Sequence, residues 1–173
     1  MSEEKNAFCG TLSEASVIQK DADRSNIVYL SFQEGIKGKI IFLEESIFRY
    51  DVSTDGAFPE YAAPRDEAHT AKIQQYPDEA DAYTKPEAEI LEDTSSVTVQ
   101  CGRTRIVFDK AKALMTVYAG ERKVIEEAKP LEFTSEETVQ TLLRRENEHF
   151  YGGGTQNGRF VHTGRKIQIV NES

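Results

Sequence analysis

Closely spaced runs of β-branched and aromatic residues constrain the fold of this chain more than any other feature of its sequence. Residues 27–32 are apolar on both faces, which is typical of a strand buried between two layers. Residues 39–43 and 46–52 are the next two runs, after Gly35 and Gly38, which indicate a turn. Such tight spacing favours hairpins in a meander over crossover helices, so the sequence predicts an all-β fold.

The third of these runs alternates strictly between apolar and polar side chains. Successive side chains of a strand point to opposite faces of a sheet. Phe48, Tyr50 and Val52 are therefore expected to face inward, and Arg49 and Asp51 to face outward.

A second series of runs, separated by glycine turns, follows in the later half of the chain. The strands predicted there cover residues 96–101, 104–109, 114–118 and 123–125. Residues 138–145 are ambiguous, because the acidic residues before them resemble a helix start, but their β-branched beginning favours a strand. Residues 166–170 are the last predicted strand. Two meanders with alternating faces predict a two-sheet antiparallel β-sandwich that occupies residues 1–173 as a single domain.

The two meanders are separated by a segment, at about residues 53–94, without a strand pattern. Asp55-Gly56 signals a turn at its start, four of the five prolines lie within it, and acids and alanines fill much of the rest. The prediction is a loop with at most a helical turn and with solvated acidic residues. A structureless loop of this length is functional, disordered or packed on a neighbour, and all three alternatives stay open.

The charge and the cysteines bear on the class of protein. A net charge of -9 and a pI near 4.9 argue against a nucleic-acid or anionic-membrane surface, since phosphate binding draws on clustered Lys and Arg. The polar N-terminus does not resemble a signal peptide, and no window resembles a membrane span. Cys9 and Cys101 form neither a CxxC pair nor a disulfide framework, so a cytoplasmic location is expected.

Residues 150–160 form a glycine-rich loop that an ordinary core does not require. Three consecutive glycines, followed by Thr, Gln and Asn, predict a tight, backbone-exposed loop that packs against another surface. The loop lacks the Gly-Lys-Ser/Thr ending of a P-loop and leads into no evident helix, so nucleotide binding is not predicted.

The remaining polar residues predict no catalytic or metal chemistry in this chain. The three histidines are too scattered for a metal motif, and the cysteines do not lie at ligand spacing from them. Adjacent acids such as Glu44-Glu45 are expected to solvate the surface rather than to act as an acid and a base. No Gly-x-Ser-x-Gly elbow supports a serine nucleophile. We expect no catalytic residue, no metal and no cofactor.

Two segments resemble one known family. Residues 148–160, with the order Glu-His-Phe-Tyr-Gly-Gly-Gly-Thr-Gln-Asn-Gly-Arg-Phe, resemble the end of the N-terminal β-sandwich of glycoside hydrolase family 31, the α-glucosidase and α-xylosidase group. Residues 47–59 are similar to the apolar-Arg strand of this family, which a Ser-x-Asp-Gly turn and a proline follow. The resemblance extends from about Asn26 onward. Many members carry Tyr-Gly-Leu-Gly-Glu where this chain has Tyr-Gly-Gly-Gly-Thr, so no role of that glutamate transfers.

The resemblance implies a galactose-mutarotase-like supersandwich that packs on a following (β/α)8 barrel. In the family, two aspartates of the barrel, a nucleophile and an acid/base, hydrolyse α-linked sugars with retention. The chain has no room for a barrel of about 250 residues. It is therefore expected to be inactive alone, with the barrel of the same polypeptide as its partner and an α-linked oligosaccharide as the substrate of the intact enzyme.

The resemblance also implies a place for the glycine loop, at the rim of the sugar pocket or at the barrel interface. The side chains expected there are Gln156, Asn157, Arg159 and Phe160, and the backbone is that of Gly152, Gly153, Gly154 and Gly158. Amides can pair with sugar hydroxyls, and an arginine can bind a carboxylate across an interface. The alternative is that the loop only packs on the barrel.

Two functions from different classes stay open on the sequence. The first is the N-terminal, non-catalytic domain of a retaining α-glycosidase. The second is a stand-alone β-sandwich module that binds carbohydrate or a protein partner. A reading frame that continues past Ser173 into a barrel-like βα pattern favours the first, whereas binding of glucose oligomers by this chain alone favours the second.

Overall fold

The computed structural model describes residues 8–58, 83–135 and 137–149. Its contacts divide the chain into two units, Met1–Leu142 and Leu143–Ser173. The prediction of a single domain over residues 1–173 stays a prediction. In the described part of the first unit the strands are β1 Gly10–Thr11, β2 Ser16–Lys20, β3 Ile27–Ser31, β4 Lys37–Glu44, β5 Ile47–Ser53, β6 Glu89–Glu92, β7 Ser96–Cys101, β8 Thr104–Asp109, β9 Met115–Ala119, β10 Arg122–Phe133 and β11 Thr138–Leu142.

These strands form two antiparallel sheets. The four-stranded sheet has the order β2-β3-β4-β5, in which every neighbour is also the next strand in sequence. The seven-stranded sheet has the order β1-β10-β9-β8-β7-β6, and β11 also pairs with β10. The predicted all-β fold with two antiparallel sheets is confirmed.

A hydrophobic core joins the inner faces of the two sheets. Phe108 of β8 contacts Tyr50 of β5 with ring centroids 5.6 Å apart in an edge arrangement, which adds to the stability from buried area. Phe48 and Val52 pack against the same core cluster, so the inward orientation predicted for alternate residues of β5 is confirmed. The fully buried members of the core include Val28, Leu30, Ile40, Phe42, Val97, Val99 and Ile106.

The four-stranded sheet is buried on its outer face as well. Ile40–Leu43 of β4 are four consecutive buried residues, so side chains on both faces of this strand are removed from water. On the outer face, Ile41 and Leu43 form a second cluster with Ile27, against which Tyr83 packs. This explains the continuous apolar run in the sequence of β4.

The chain that follows the long middle segment lies along this outer face. The Lys85 amide donates to the Leu43 carbonyl at 3.0 Å, and the Ala88 amide donates to the Ser25 carbonyl at 2.9 Å. Thr84 binds the Glu44 carboxylate through its amide at 2.9 Å and its hydroxyl at 2.6 Å. The described end of the segment therefore packs on the sheet, and residues 59–82 lie outside the described residues.

The prediction that residues 53–94 contain no strand is wrong. Glu89–Glu92 form β6, which pairs with β7 in unbroken register from Glu89↔Gln100 to Glu92↔Val97. The sequence of β6 does not reveal a strand. It is an edge strand of four residues, two of them acids, and only one apolar side chain is half-buried, so it shows almost no alternation. The acids at positions 89 and 92 are exposed, as predicted, although they lie on a strand.

Other boundaries also differ from the predictions. β10 extends to Phe133, well beyond the predicted residues 123–125. It contains Pro130, which has no amide hydrogen to donate, at a point where the pairing with β11 is irregular. Gly38 lies inside β4 rather than in a turn. A glycine fits this strand position because an added Cβ would meet the Phe32 ring at 2.9 Å. The strand preferred within residues 138–145 is confirmed as β11, and the strand predicted at 166–170 lies outside the described residues.

Candidate functional site

The predicted sugar-pocket residues cannot be placed in the fold. Residues 150–160, which contain the side chains of Gln156, Asn157, Arg159 and Phe160 and the four loop glycines, lie outside the described residues. Their role stays a prediction. The other segment that carried the family resemblance is described from Ile47 to Phe58, and it lines a cleft on the outer face of the four-stranded sheet.

Lys39 and Asp51, on the floor of this cleft, belong to a row of paired residues that crosses three strands. Asp51 of β5 lies opposite Lys39 of β4, which lies opposite Tyr29 of β3. Arg49 Nε donates to Asp51 Oδ1 at 2.9 Å, and Lys39 Nζ lies 4.0 Å from Asp51 Oδ2. The prediction that Arg49 and Asp51 face away from the core is confirmed, and the register adds Lys39, which the sequence did not single out.

The turn after β5 gives a physical reason for the Ser-x-Asp-Gly motif. Asp55 Oδ1 accepts hydrogen bonds from the Ser53 hydroxyl at 2.7 Å and from the Ala57 amide at 3.0 Å. Gly56 has a φ of 78°, a left-handed conformation that favours glycine. The side-chain bonds and the glycine together reverse the chain so that it returns over the sheet.

Phe58 completes the cleft after this reversal. Its ring centroid lies 5.0 Å from Lys39 Nζ and 6.2 Å from the Tyr29 ring centroid. The cleft has a volume of about 590 Å³, and the described residues that line it are Lys39, Arg49, Tyr50, Asp51, Val52, Ser53, Thr54, Asp55, Ala57 and Phe58. It combines a polar floor with an aromatic side.

Two tyrosines of the strands beneath the cleft have raised pKa values. Burial, together with the Asp21 carboxylate that accepts the Tyr29 hydroxyl at 3.3 Å, raises the pKa of Tyr29. Burial and the charge of Glu127 raise the pKa of Tyr50 far above its ordinary value. Both phenols therefore stay neutral at physiological pH, and neither acts as a base. An arrangement of fixed donors and acceptors beside a ring is suited to binding.

Two glutamates have structural contacts that the sequence did not predict. Glu44 was expected to solvate the surface, but it anchors the covering chain at Thr84. Glu127 is buried, and its two oxygens accept the Met115 amide and Gln140 Nε2, each at 2.8 Å. Burial raises the pKa of Glu127 against the opposing effect of these two hydrogen bonds. In the described ranges there is no group of three or more potential metal ligands.

The fold and the turn agree with a comparison against protein families. The family described as the glycosyl hydrolase 31 N-terminal galactose mutarotase-like domain matches residues 37–173. The chain belongs to this family. The match contains both segments that resembled the family, the one that lines the cleft and the one that contains the glycine loop. No curated protein matched the sequence of this chain significantly.

Solved structures share the fold at low sequence identity. An uncharacterised protein from Listeria monocytogenes, in complex with α-D-glucose, β-D-glucose, magnesium and calcium, aligns over 95% of this chain with a TM-score of 0.65 and 15% identity. A GH31 dextranase from Flavobacterium johnsoniae, in complexes with isomaltotriose or glucose, aligns over 91% with a TM-score of 0.67 and 16% identity. This chain spans 15% and 18% of the lengths of those proteins. No helix of the described residues is long and apolar enough to cross a membrane.

Proposed function

We propose that this chain is the N-terminal, non-catalytic domain of a retaining α-glycosidase that hydrolyses α-linked sugars. The observation that carries the proposal is the family match over residues 37–173, which extends across both resembling segments. The dextranase likeness supports a glycoside hydrolase as the parent protein, because one of those structures holds an α-glucan fragment, isomaltotriose. In the proposal, a (β/α)8 barrel of the same polypeptide carries the catalytic aspartates.

The sandwich has the form expected of a supporting domain. Its cleft presents an ion pair and a tight turn, and the Ser53 hydroxyl is committed to Asp55. Retaining glycosidases need two carboxyl groups about 5 Å apart on either side of the scissile bond. We place those groups on the barrel and assign this domain to packing and to the rim of the pocket.

A turnover assay tests the non-catalytic role. The purified 173-residue chain is incubated with 4-nitrophenyl α-D-glucopyranoside, and release of nitrophenol is followed. We expect no release above the protein-free rate. Substantial turnover by the pure chain would contradict the proposal.

The parent activity is tested on the polypeptide encoded by the whole reading frame. We expect the frame to continue past Ser173 into an alternating βα pattern. Proton NMR of the first sugar released from isomaltotriose or maltotriose should show the α-anomer before mutarotation. A first product with the β-anomer would exclude a retaining enzyme.

The proposed role of the glycine loop is tested in that same polypeptide. If Gln156 and Asn157 bond sugar hydroxyls, Gln156→Ala and Asn157→Ala each lower kcat/KM by about tenfold, the equivalent of one hydrogen bond to the sugar. Gln19→Ala, at an exposed position of β2, is the matched control and leaves kcat/KM unchanged. If the loop only packs on the barrel, the two loop variants lower the unfolding temperature and leave KM unaltered.

A further inference from the structure

The cleft on the outer face of the four-stranded sheet has no role in the function proposed above. It lies on β4, β5 and the turn after β5, and its charged side chains balance one another. Lys39 and Arg49 carry positive charges, and Asp51 and Asp55 carry negative charges. A strongly anionic or cationic ligand would meet as much repulsion as attraction there, so the charge balance favours a neutral ligand.

One carboxylate oxygen on the floor of the cleft has no hydrogen-bond donor among the described residues. Lys39 Nζ is 4.0 Å from Asp51 Oδ2, which is outside hydrogen-bonding distance. Asp51 Oδ2 is buried, and it accepts no hydrogen bond from any described residue. A buried carboxylate oxygen without a partner is uncommon and costly, whereas the other oxygen of the same group is held by Arg49 Nε.

A hydroxyl group matches the Lys39 ammonium as a donor and Asp51 Oδ2 as an acceptor. It accepts one hydrogen bond while it donates another, so one ligand hydroxyl can bridge the Lys39 ammonium and Asp51 Oδ2 once the flexible lysine side chain moves aside. A ligand with several hydroxyls can direct one of them at this pair and leave the others in water. This chemistry is that of a polyol.

The aromatic side of the cleft restricts the shape of the ligand. The Phe58 ring lines the cleft and flanks Lys39, and the Tyr29 ring lies beyond it. An aromatic face beside hydroxyl-binding groups suits a ring with axial C–H bonds on one face and hydroxyls at its edge. We propose that this cleft, through residues of β4, β5 and the turn after β5, binds a neutral pyranose sugar without the help of a barrel.

The test is a titration of the 173-residue chain followed by amide chemical shifts in ¹H–¹⁵N NMR spectra. The probes are methyl α-D-glucopyranoside and isomaltotriose as neutral sugars, with glucuronate and glucosamine as charged analogues. We expect saturable shifts of the amides from Asp51 to Phe58 with the neutral probes and weaker binding of both charged analogues. A larger response to isomaltotriose than to the monosaccharide would assign the site to an oligosaccharide chain rather than to a free sugar.

Variants locate the binding site. Phe58→Ala and Lys39→Met should each weaken binding about tenfold, through loss of ring contact and of a charged donor respectively. Tyr118→Ala is the matched control, because Tyr118 also stacks beside a cation, Arg105, at 4.7 Å on the outer face of the other sheet. It should leave the affinity unchanged.

Several outcomes would overturn the proposal. These are the absence of saturable shifts, tighter binding of a charged analogue, or affinity that neither cleft variant alters. Shifts that disappear with Gln156→Ala rather than with Phe58→Ala would place the sugar at the glycine loop. None of these results bears on the retaining mechanism of the parent enzyme, so the two proposals fail separately.

Discussion

The two sheets differ in how many of their faces are removed from water. β7 and β8 of the seven-stranded sheet alternate strictly between buried and half-buried residues. β4 of the four-stranded sheet is instead buried at four consecutive positions, because the chain near Tyr83 covers its outer face. The seven-stranded sheet is therefore buried on one face at β7 and β8, whereas the four-stranded sheet is buried on both faces at β4.

The outer faces of the two sheets also differ in the side chains that they present. The outer face of the seven-stranded sheet carries a mixture of polar and apolar residues, such as Thr98, Val107 and Thr116 in one cross-strand row. The outer face of the four-stranded sheet is divided into a covered apolar part at Ile27 and Ile41 and an open polar part at Asp51. A covering segment thus leaves a cleft beside it, and the candidate binding site is on the sheet that is more deeply buried.

The largest expected effect comes from truncation of the covered face. Ile41→Ala removes a fully buried side chain from the outer cluster and should lower the free energy of unfolding by about 2–4 kcal/mol. Val107→Ala is the matched variant on the outer face of the other sheet, where the side chain is half-buried, and should cost about 1 kcal/mol or less. Urea denaturation measures both. Equal losses would show that the two outer faces do not differ.

A second test concerns the space on the inner face of the four-stranded sheet. At Gly38, an added Cβ would meet the Phe32 ring at 2.9 Å, the Tyr50 ring at 3.2 Å and the Leu30 Cβ at 3.3 Å. Gly38→Ala should therefore destabilise the protein by about 1–3 kcal/mol through overpacking.

The control for this test is a glycine in the turn between β9 and β10 of the seven-stranded sheet. At Gly120 the nearest atom to an added Cβ is the end of the flexible Arg103 side chain, so only the left-handed φ of 62° opposes alanine. Gly120→Ala should cost about 1 kcal/mol by thermal denaturation. A loss at Gly120 greater than at Gly38 would contradict tight packing around β4.

Glu127 is a buried charged residue of β10, a strand that does not alternate simply between its two faces. Its carboxyl takes the place of a backbone partner for the Met115 amide, where β10 leaves β9 and pairs with β11. Glu127→Leu leaves the Met115 amide and Gln140 without these bonds and should cost about 1–3 kcal/mol. Glu132→Leu, an exposed position on the same strand, is the control and should have little effect.

The pH dependence of stability gives a further test of Glu127. Burial raises its pKa above the ordinary value of 4.5, so the folded state holds the proton more tightly than the unfolded state. Its contribution to stability is full below that value and is lost as the pH rises through the raised folded pKa. The stability of the wild type relative to Glu127→Gln, which cannot ionise, should therefore fall as the pH rises above the ordinary value of 4.5. A difference that does not vary with pH would show that the pKa is not raised.

The smallest expected effect is at the covering chain itself. Tyr83 is half-buried against the outer cluster, so Tyr83→Ala should cost about 1 kcal/mol, whereas Tyr83→Phe keeps the ring and should cost less. Hydrogen exchange of the Leu43 and Lys85 amides should quicken in the alanine variant alone. Unchanged exchange would show that the ring does not hold the covering chain in place.

The strands that the sequence predicted well are those in which one face is buried. β7, β8 and β9 lie within about a residue of their predicted limits, because alternation reports directly on a half-buried strand. β6 was missed because its acids conceal a short edge strand. β1 and β2 were missed because their own sequences show no strand pattern. β1 is a strand through its pairing with the distant β10, and β2 through its pairing with β3.

The candidate site was predictable in part. The Ser-x-Asp-Gly turn could be read from residue types, because Asp55 and Gly56 specify a local geometry. The contact of Phe58 with Lys39 could not, since it depends on the β4–β5 register, which a bulge between Phe42 and Glu44 shifts. The glycine loop was conspicuous in sequence, and its place in the fold lies outside the described residues.

The pairing of β1 with β10 has a consequence for the order of folding. Gly10 pairs with Phe133, and the Leu12 amide donates to the Leu131 carbonyl. These contacts join residues near the two ends of the described chain. The other neighbouring strands of both described sheets are consecutive in sequence. Contacts that close a long loop form late, because the lost chain entropy is not offset until the rest is in place. In pulse-labelling hydrogen exchange, the Leu12 amide should gain protection after the amides of β4 and β8. The N-terminal edge is thus the last part of the sandwich to close.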